Sequence, residues 1–306
     1  MILACMLMMS CGGNGRRASD AQTRRSPQPL TLPTIPTILT NPEERADFLV
    51  KHYWDNFDFT DTLLVGNQLI TEQAFVDFLN ILPHVSEATM RTSIHNTLDR
   101  AIVEPKMFAC FADLYDKYLF NPNAPMRNEE LYSIVLEYIL SSPKVDEFDK
   151  DSARLNLSFV NKNRPGAIAT DFIYTMANGV EGSLFKIKSE FLIIFFNNPG
   201  CSACAEYQQG LTWSPVISQM MELGRLKILA MYVDEEIENW KANHASMPTT
   251  WIDGYDASTI IRKNQLYDLR AIPNLYLLDK EKRVILKDAM PNVLEETLLH
   301  YLQNAN

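Results

Sequence analysis

Six apolar residues in a row, Phe191-Leu192-Ile193-Ile194-Phe195-Phe196, lead through Asn197-Asn198-Pro199-Gly200 into Cys201-Ser202-Ala203-Cys204. A run that is apolar at every position has no face to offer to water. It reads as a central strand covered on both sides. The residues after Cys201 read as a helix to about Leu223, so the two cysteines stand at a strand-to-helix junction. Residues i and i+3 of a helix lie one turn apart on one face. Their sulfurs can therefore reach disulfide geometry without backbone movement. The first cysteine also meets unpaired N–H groups and the positive end of the helix dipole, which lowers a thiol pKa from about 8.5 toward neutrality. Cys201 is the expected nucleophile and Cys204 the resolving thiol.

Other uses of such a pair are weaker. Half a zinc site needs a second pair, and Cys110 and His244 are the only other plausible ligands. A static staple would be unusual at an exposed turn. Peroxidase chemistry of the peroxiredoxin type wants Thr or Ser three residues before the attacking cysteine, where this chain has Asn198 before Cys201. No metal and no cofactor is expected.

The pattern changes at Asn163-Arg164-Pro165-Gly166. From 41 to about 160 it is helical. Asn41-Pro42-Glu43-Glu44 combines a capping side chain, Pro at the first helical position and acids near the dipole's positive end. Thr71-Glu72-Gln73 opens a second helix carrying Phe75, Phe78, Leu79 and Leu82. Ser86-Glu87-Ala88 opens a third carrying Met90, Ile94, Leu98 and Ile102. Further helices fit 105–120, 128–140 and 145–161, giving a small antiparallel all-α domain over 41–163. Its histidines, His52, His84 and His95, share no ligand spacing. Cys110 reads as a buried structural thiol, and Tyr53, Trp54, Phe57 and Phe59 as core.

From 164 to 306 strand-like and helical segments alternate, as in an α/β sheet. Segments 169–175 and 183–187 read as a leading hairpin, 226–233 as a second buried strand, and 275–278 with 283–287 as a final pair. Segment 257–264 is a candidate helix. A last helix is expected to start at Asn292, with Glu295 completing a capping box.

The N-terminus reads as an export signal. Met1 to Met9 is apolar, and Ser10-Cys11 ends it. This resembles a bacterial lipoprotein signal over 1–11, which makes Cys11 the lipidated residue. No Lys or Arg precedes the run, and Met8 stands where the lipoprotein pattern prefers Leu. Residues 12–40, with Pro27, Pro29, Pro33 and Pro36 among Ser and Thr, read as a disordered tether. No apolar stretch reaches the roughly 20 residues of a membrane span. The net charge of −10 argues against nucleic acid.

Residues from about 165 to 303 resemble thioredoxin-fold lipoproteins and TlpA/ResA-like thiol–disulfide oxidoreductases. The resemblance rests on Phe195 through Cys204, on Tyr232-Val233-Asp234 with Trp240, on Tyr267, and on Ala271-Ile272-Pro273-Asn274-Leu275-Tyr276-Leu277-Leu278-Asp279. The helical segment resembles an uncharacterised domain found ahead of thioredoxin-like domains in Bacteroides-type lipoproteins. The implied architecture is an α/β thioredoxin-like fold, a mixed sheet flanked by helices, behind a small all-α domain. Pro273 falls at the family's cis-proline. The resemblance implies that Ile272 offers backbone hydrogen bonds to a substrate strand, with Pro199, Gly200, Ser202 and Ala203 also facing it. Phe195 occupies the position of thioredoxin's buried proton-shuttling Asp, and Glu206 is expected to face away, so the proton acceptor for Cys204 is open.

The resulting expectation is a lipid-anchored protein of the bacterial cell envelope, facing the periplasm. It would exchange disulfides with exported proteins and a thiol–disulfide electron donor. The alternative is a binding or redox-sensing lipoprotein that uses the same fold as a scaffold.

Overall fold

The computed structural model describes residues 29–304. The expected signal segment 1–11, Cys11 and the first part of the tether lie outside the described residues. Among the described residues no helix is long and apolar enough to cross a membrane.

Helices α1 (Pro42–His52), α2 (Gln73–Ile81), α3 (Glu87–Ala101), α4 (Pro105–Tyr115), α5 (Glu129–Ser141) and α6 (Glu147–Val160) form the first part. Their starts follow the side chains that can satisfy orphan N–H groups. Asn41 accepts from Glu43 N at 2.7 Å, Ser86 from Thr89 N at 3.2 Å, and Asn128 from Leu131 N at 3.0 Å. The second helix opens with a wide turn, Gln68–Glu72, before α2, and Asn67 rather than Thr71 caps it. The core is aromatic. Trp54 packs edge-on to Phe57 and Phe111 at 5.3 Å, and Phe75 to Tyr115 at 4.7 Å. Each buried ring of this kind stabilises the fold by about 2 kcal/mol. Leu30 packs against this core, and Asn56 donates to the Thr31 carbonyl at 2.8 Å.

The second part is a seven-stranded sheet in the order β2-β1-β5-β4-β3-β6-β7. The strands are β1 (Ile173–Met176), β2 (Glu181–Ser183), β3 (Phe191–Phe196), β4 (Leu226–Tyr232), β5 (Ile252–Tyr255), β6 (Asn274–Leu278) and β7 (Val284–Lys287). β3 runs parallel to β4 and antiparallel to β6. Every residue of β3 is buried, as its unbroken apolar run requires. Ile193 and Phe195 face α7 (Ser202–Trp213), α8 (Pro215–Glu222) and α11 (Pro291–Asn304). Leu192, Ile194 and Phe196 face Phe172 and Tyr267. The short α9 (Ile237–Asn243) and α10 (Ile260–Lys263) complete the set.

Several expected boundaries move. The helix after Cys201 is two helices, because Pro215 has no N–H to continue the first, and Ser214 caps the second by accepting from Ile217 N at 3.2 Å. The hairpin's second strand ends at Ser183, where Leu184–Lys186 turns into a 3-10 helix. The last helix starts one residue early. Met290 supplies the first accepting carbonyl, so Asn292 lies inside the helix and forms no capping box. Segment 257–264 is helical only over Ile260–Lys263, since Asp256 holds the turn before it through Ser258 and Ile261. β5 is the extra strand for which the long span between Cys201 and Pro273 leaves room, as the resemblance to TlpA-like proteins implies, and the structure gives it its bounds.

The two parts meet across charges. Arg127, just before α5, bonds Glu129 at 2.6 Å and Asp268 at 3.0 Å, and pairs with Asp288. Lys287 on β7 is 4% exposed. It pairs with Glu129 at 2.7 Å and donates to the Phe159 and Val160 carbonyls at 2.9 and 3.1 Å. The Arg270 guanidinium lies 3.8 Å from the centre of the Phe120 ring. Asp268 and Arg270 belong to the segment that leads into Ile272-Pro273. The helical part is thus bonded to the loop beside the cysteines.

Candidate functional site

The site begins where β3 ends. Gly200 has φ +80°, a left-handed conformation that costs glycine least, and it aims the chain into α7. Cys201 is the N-cap of α7: the Cys204 N–H donates to its sulfur at 3.3 Å, taking the place of the usual capping oxygen. The Asn198 N–H donates in turn to Cys204 Sγ at 3.4 Å. Both cysteines are free thiols. Cys201 is half-buried and Cys204 buried. Burial, and then the hydrogen bond with Cys201, push the Cys204 thiol up to about 12, against the opposing pull of the Asn198 N–H. The two sulfurs are therefore unequal in reach: Cys201 meets solvent, while Cys204 is buried and holds its proton.

The Ile272-Pro273 peptide is cis. It brings the Ile272 carbonyl within 4.0 Å of Cys201 Sγ. Cys201, Cys204, Ile272 and Pro273 thus meet at one place, although 71 residues separate Cys201 from Ile272. Ser202 is exposed and Ala203 half-buried on the first turn of α7; Pro199 is half-buried and Gly200 exposed just before it. All four lie around Cys201. His52 is half-buried and its ring bonds Asp55 at 2.8 Å. Cys110 is half-buried in the helical part and accepts the Gly66 N–H at 3.4 Å. Burial raises its pKa.

Behind the cysteines lies a cavity of about 120 Å³ lined by Asn198, Cys201, Cys204, Trp240, His244 and Asp253 among others. Phe195 packs in the core beside Cys204, and Glu206 is exposed and outside the cavity lining. The carboxylate that does reach the cavity is Asp253, on β5. Its Oδ1 accepts from Trp240 Nε1 at 3.2 Å, while Oδ2 is buried with no protein partner among the described residues. Burial raises its pKa to about 6, with the Trp240 hydrogen bond and the His244 charge opposing. No sequence pattern pointed to Asp253. The only local hint was the alternation Trp251, Asp253, Tyr255, half hidden by Gly254.

Comparison with known proteins gives the fold its family. Residues 10–163 match the model of a domain of unknown function, DUF5106. A crystal structure of a thioredoxin-like protein from Bacteroides caccae is 48% identical, with TM-score 0.85, covering 90% of this chain and 99% of that one. The C-terminal domain of an uncharacterized protein from Bacteroides fragilis is 47% identical over 45% of this chain and 99% of its own, with TM-score 0.45. The thioredoxin domain of a thiol-disulfide oxidoreductase from Bacteroides vulgatus is 20% identical over 45% of this chain and 96% of its own, with TM-score 0.40. No curated protein matches the chain. The second part is thus thioredoxin-like, a mixed sheet flanked by helices, behind an all-helical first part.

Proposed function

The chain belongs to the DUF5106 family and carries a thioredoxin-like domain behind that domain, and from this premise we propose that it is an exported, lipid-anchored thiol–disulfide oxidoreductase. One observation carries the reading: a half-buried Cys201 sulfur caps α7, one helical turn from a buried second thiol and 4.0 Å from the Ile272 carbonyl. The Cys201 sulfur is placed to attack a partner's disulfide, and Cys204 to displace the partner from the mixed disulfide. The half-buried Ile272 offers a backbone acceptor to an extended partner segment, and Pro199, Gly200, Ser202 and Ala203 shape the approach. The partners are exported proteins and a thiol–disulfide electron donor, and Cys11 carries the lipid at the periplasmic face of the envelope.

A binding or redox-sensing role is the second reading. What favours it is the bonded helical part, which simple thiol exchange does not need. Insulin reduction by dithiothreitol separates the two. Wild type is expected to accelerate insulin precipitation at least tenfold over Cys201→Ser. Equal rates for the two would leave only the binding reading.

A further inference from the structure

We propose that Asp253 is the proton acceptor for Cys204, taking the thiol proton across the cavity so that Cys204 can resolve the mixed disulfide. The assignment rests on the exchange reading above and names a group that reading lacks.

The sheet carries the argument. Phe195 on β3 pairs with Ala230 on β4, and Ala230 pairs with Asp253 on β5. Three paired residues in one row point to the same face. Phe195, Ala230 and Cys204 share one core cluster, so the carboxyl of Asp253 stands on the cysteine face, about 10 Å along the row from Phe195. Trp251, two residues earlier on β5, packs edge-on to Phe195 at 6.2 Å and marks the same face. Phe195 cannot take a proton. The row supplies an acid two strands further on, and the cavity joins it to the sulfurs.

Its chemistry fits. Oδ1 is held by Trp240, and the buried Oδ2 is free to accept. Asn198 Oδ1 is a second unpartnered acceptor in the same lining. A cavity of about 120 Å³ with Asn198, His244 and Asp253 in its lining has room for more than one water to relay a proton. The other titratable groups facing Asp253 are Cys201 at the N-cap of α7, Cys204 within α7 and His244 after α9, with Tyr255 beyond Trp240 on its own strand. A carboxyl raised to about 6 is a stronger base than an ordinary Asp, and the mixed disulfide on Cys201 removes the Cys201 hydrogen bond and charge that help Cys204 keep its proton.

The step balances. The Cys201 thiolate attacks a partner disulfide, forming a Cys201–partner S–S bond and releasing one partner thiolate. The Cys204 S–H proton passes to the Asp253 carboxylate. The Cys204 thiolate then attacks Cys201 Sγ, forming Cys201–Cys204 and expelling the second partner thiolate, which takes a proton from the Asp253 carboxyl. The partner disulfide is reduced by two electrons and the protein dithiol oxidised by two.

The test is a single turnover of the reduced full chain with glutathione disulfide, acid-quenched and read by mass spectrometry of the peptide holding both cysteines. Glutathione on Cys201 reports the first attack, and the internal disulfide reports resolution. In wild type at pH 7 the glutathionyl form is expected to pass without accumulating. In Asp253→Asn it accumulates, with resolution slowed at least tenfold at pH 7 and recovering toward pH 9, and Asp253→Glu restores part of the rate. Trp240→Phe keeps the carboxyl but removes its Nε1–H, and is expected to move the rising limb of the resolution profile to higher pH. Resolution at the wild-type rate and pH dependence in Asp253→Asn overturns the assignment. So does an unmoved limb in Trp240→Phe, should the Asn variant not fold. Wild type that forms neither the glutathionyl adduct nor the internal disulfide overturns the exchange reading itself, and this assignment with it.

Discussion

Single side chains set the chemistry by where their protons sit. Burial favours the neutral form of Cys204 and of Asp253. For Asp253 this is also a statement about stability. Its folded pKa of about 6 lies above the ordinary Asp value of about 3.9. The stability it contributes is complete below about pH 3.9 and is lost as pH rises through about 6. Asp253→Asn has no charge to desolvate and keeps an oxygen for Trp240. It is expected to be more stable than wild type at pH 8, by about 1–3 kcal/mol, with the gain shrinking toward zero at pH 4. Urea unfolding at the two pH values measures this, and a gain independent of pH would contradict it. The cysteine pair was readable because the i, i+3 spacing and the preceding run are local facts. Asp253 was not, because its neighbour on the cysteine face is Ala230 on another strand.

Between elements, the N-terminus of α5, strand β7 and the segment before Pro273 are joined through Arg127. Asp268 is 1% exposed and Arg127 11%. Burial pushes the Asp268 carboxyl up, but hydrogen bonds from Arg270 and the charges of Arg270 and Arg127 together outweigh it and hold the group below its usual value. Burial likewise lowers Lys287, against the pull of Glu129. Removing one partner of a nearly buried cluster leaves charges unpaired, which costs about 3–5 kcal/mol. Arg127→Met is expected to destabilise the protein by that order in urea. Acid sensitivity should change too. A depressed carboxyl contributes stability above its unfolded pKa, about 3.9, and loses it as pH falls through the lowered folded value. Without Arg127 the acid limb of unfolding shifts to higher pH, because the folded pKa of Asp268 rises. No helical or strand periodicity marks these residues. Arg127 and Asp268 stand 141 positions apart and meet only when the two parts dock.

At the scale of the whole molecule, the helical part is fastened to the edge of the thioredoxin-like part that carries Ile272-Pro273. The loop beside Cys201 is therefore part of one bonded unit rather than of a loosely linked domain. The proposed anchor is tested separately. Cys11→Ser is expected to move the protein from the membrane fraction to the soluble periplasmic fraction and to abolish its labelling by a fatty-acid probe. Unchanged fractionation would remove the lipid from the proposal and leave the exchange site standing. The composition break near Asn163, the all-helical first part and the alternating second part were legible in the sequence, because repeating patterns of apolar residues choose secondary structure locally. So were the strand-to-cysteine junction and the place of Pro273. Only the tertiary structure decided which strand stands beside which, where β5 begins and ends, that the Asp253 carboxyl shares a cavity with Cys204, and that Arg127 ties the helices to the site loop. The physical reason is that apolar periodicity acts over one or two turns. The charges and carboxyls that matter here are positioned by sheet register and domain docking, between residues that no local pattern connects.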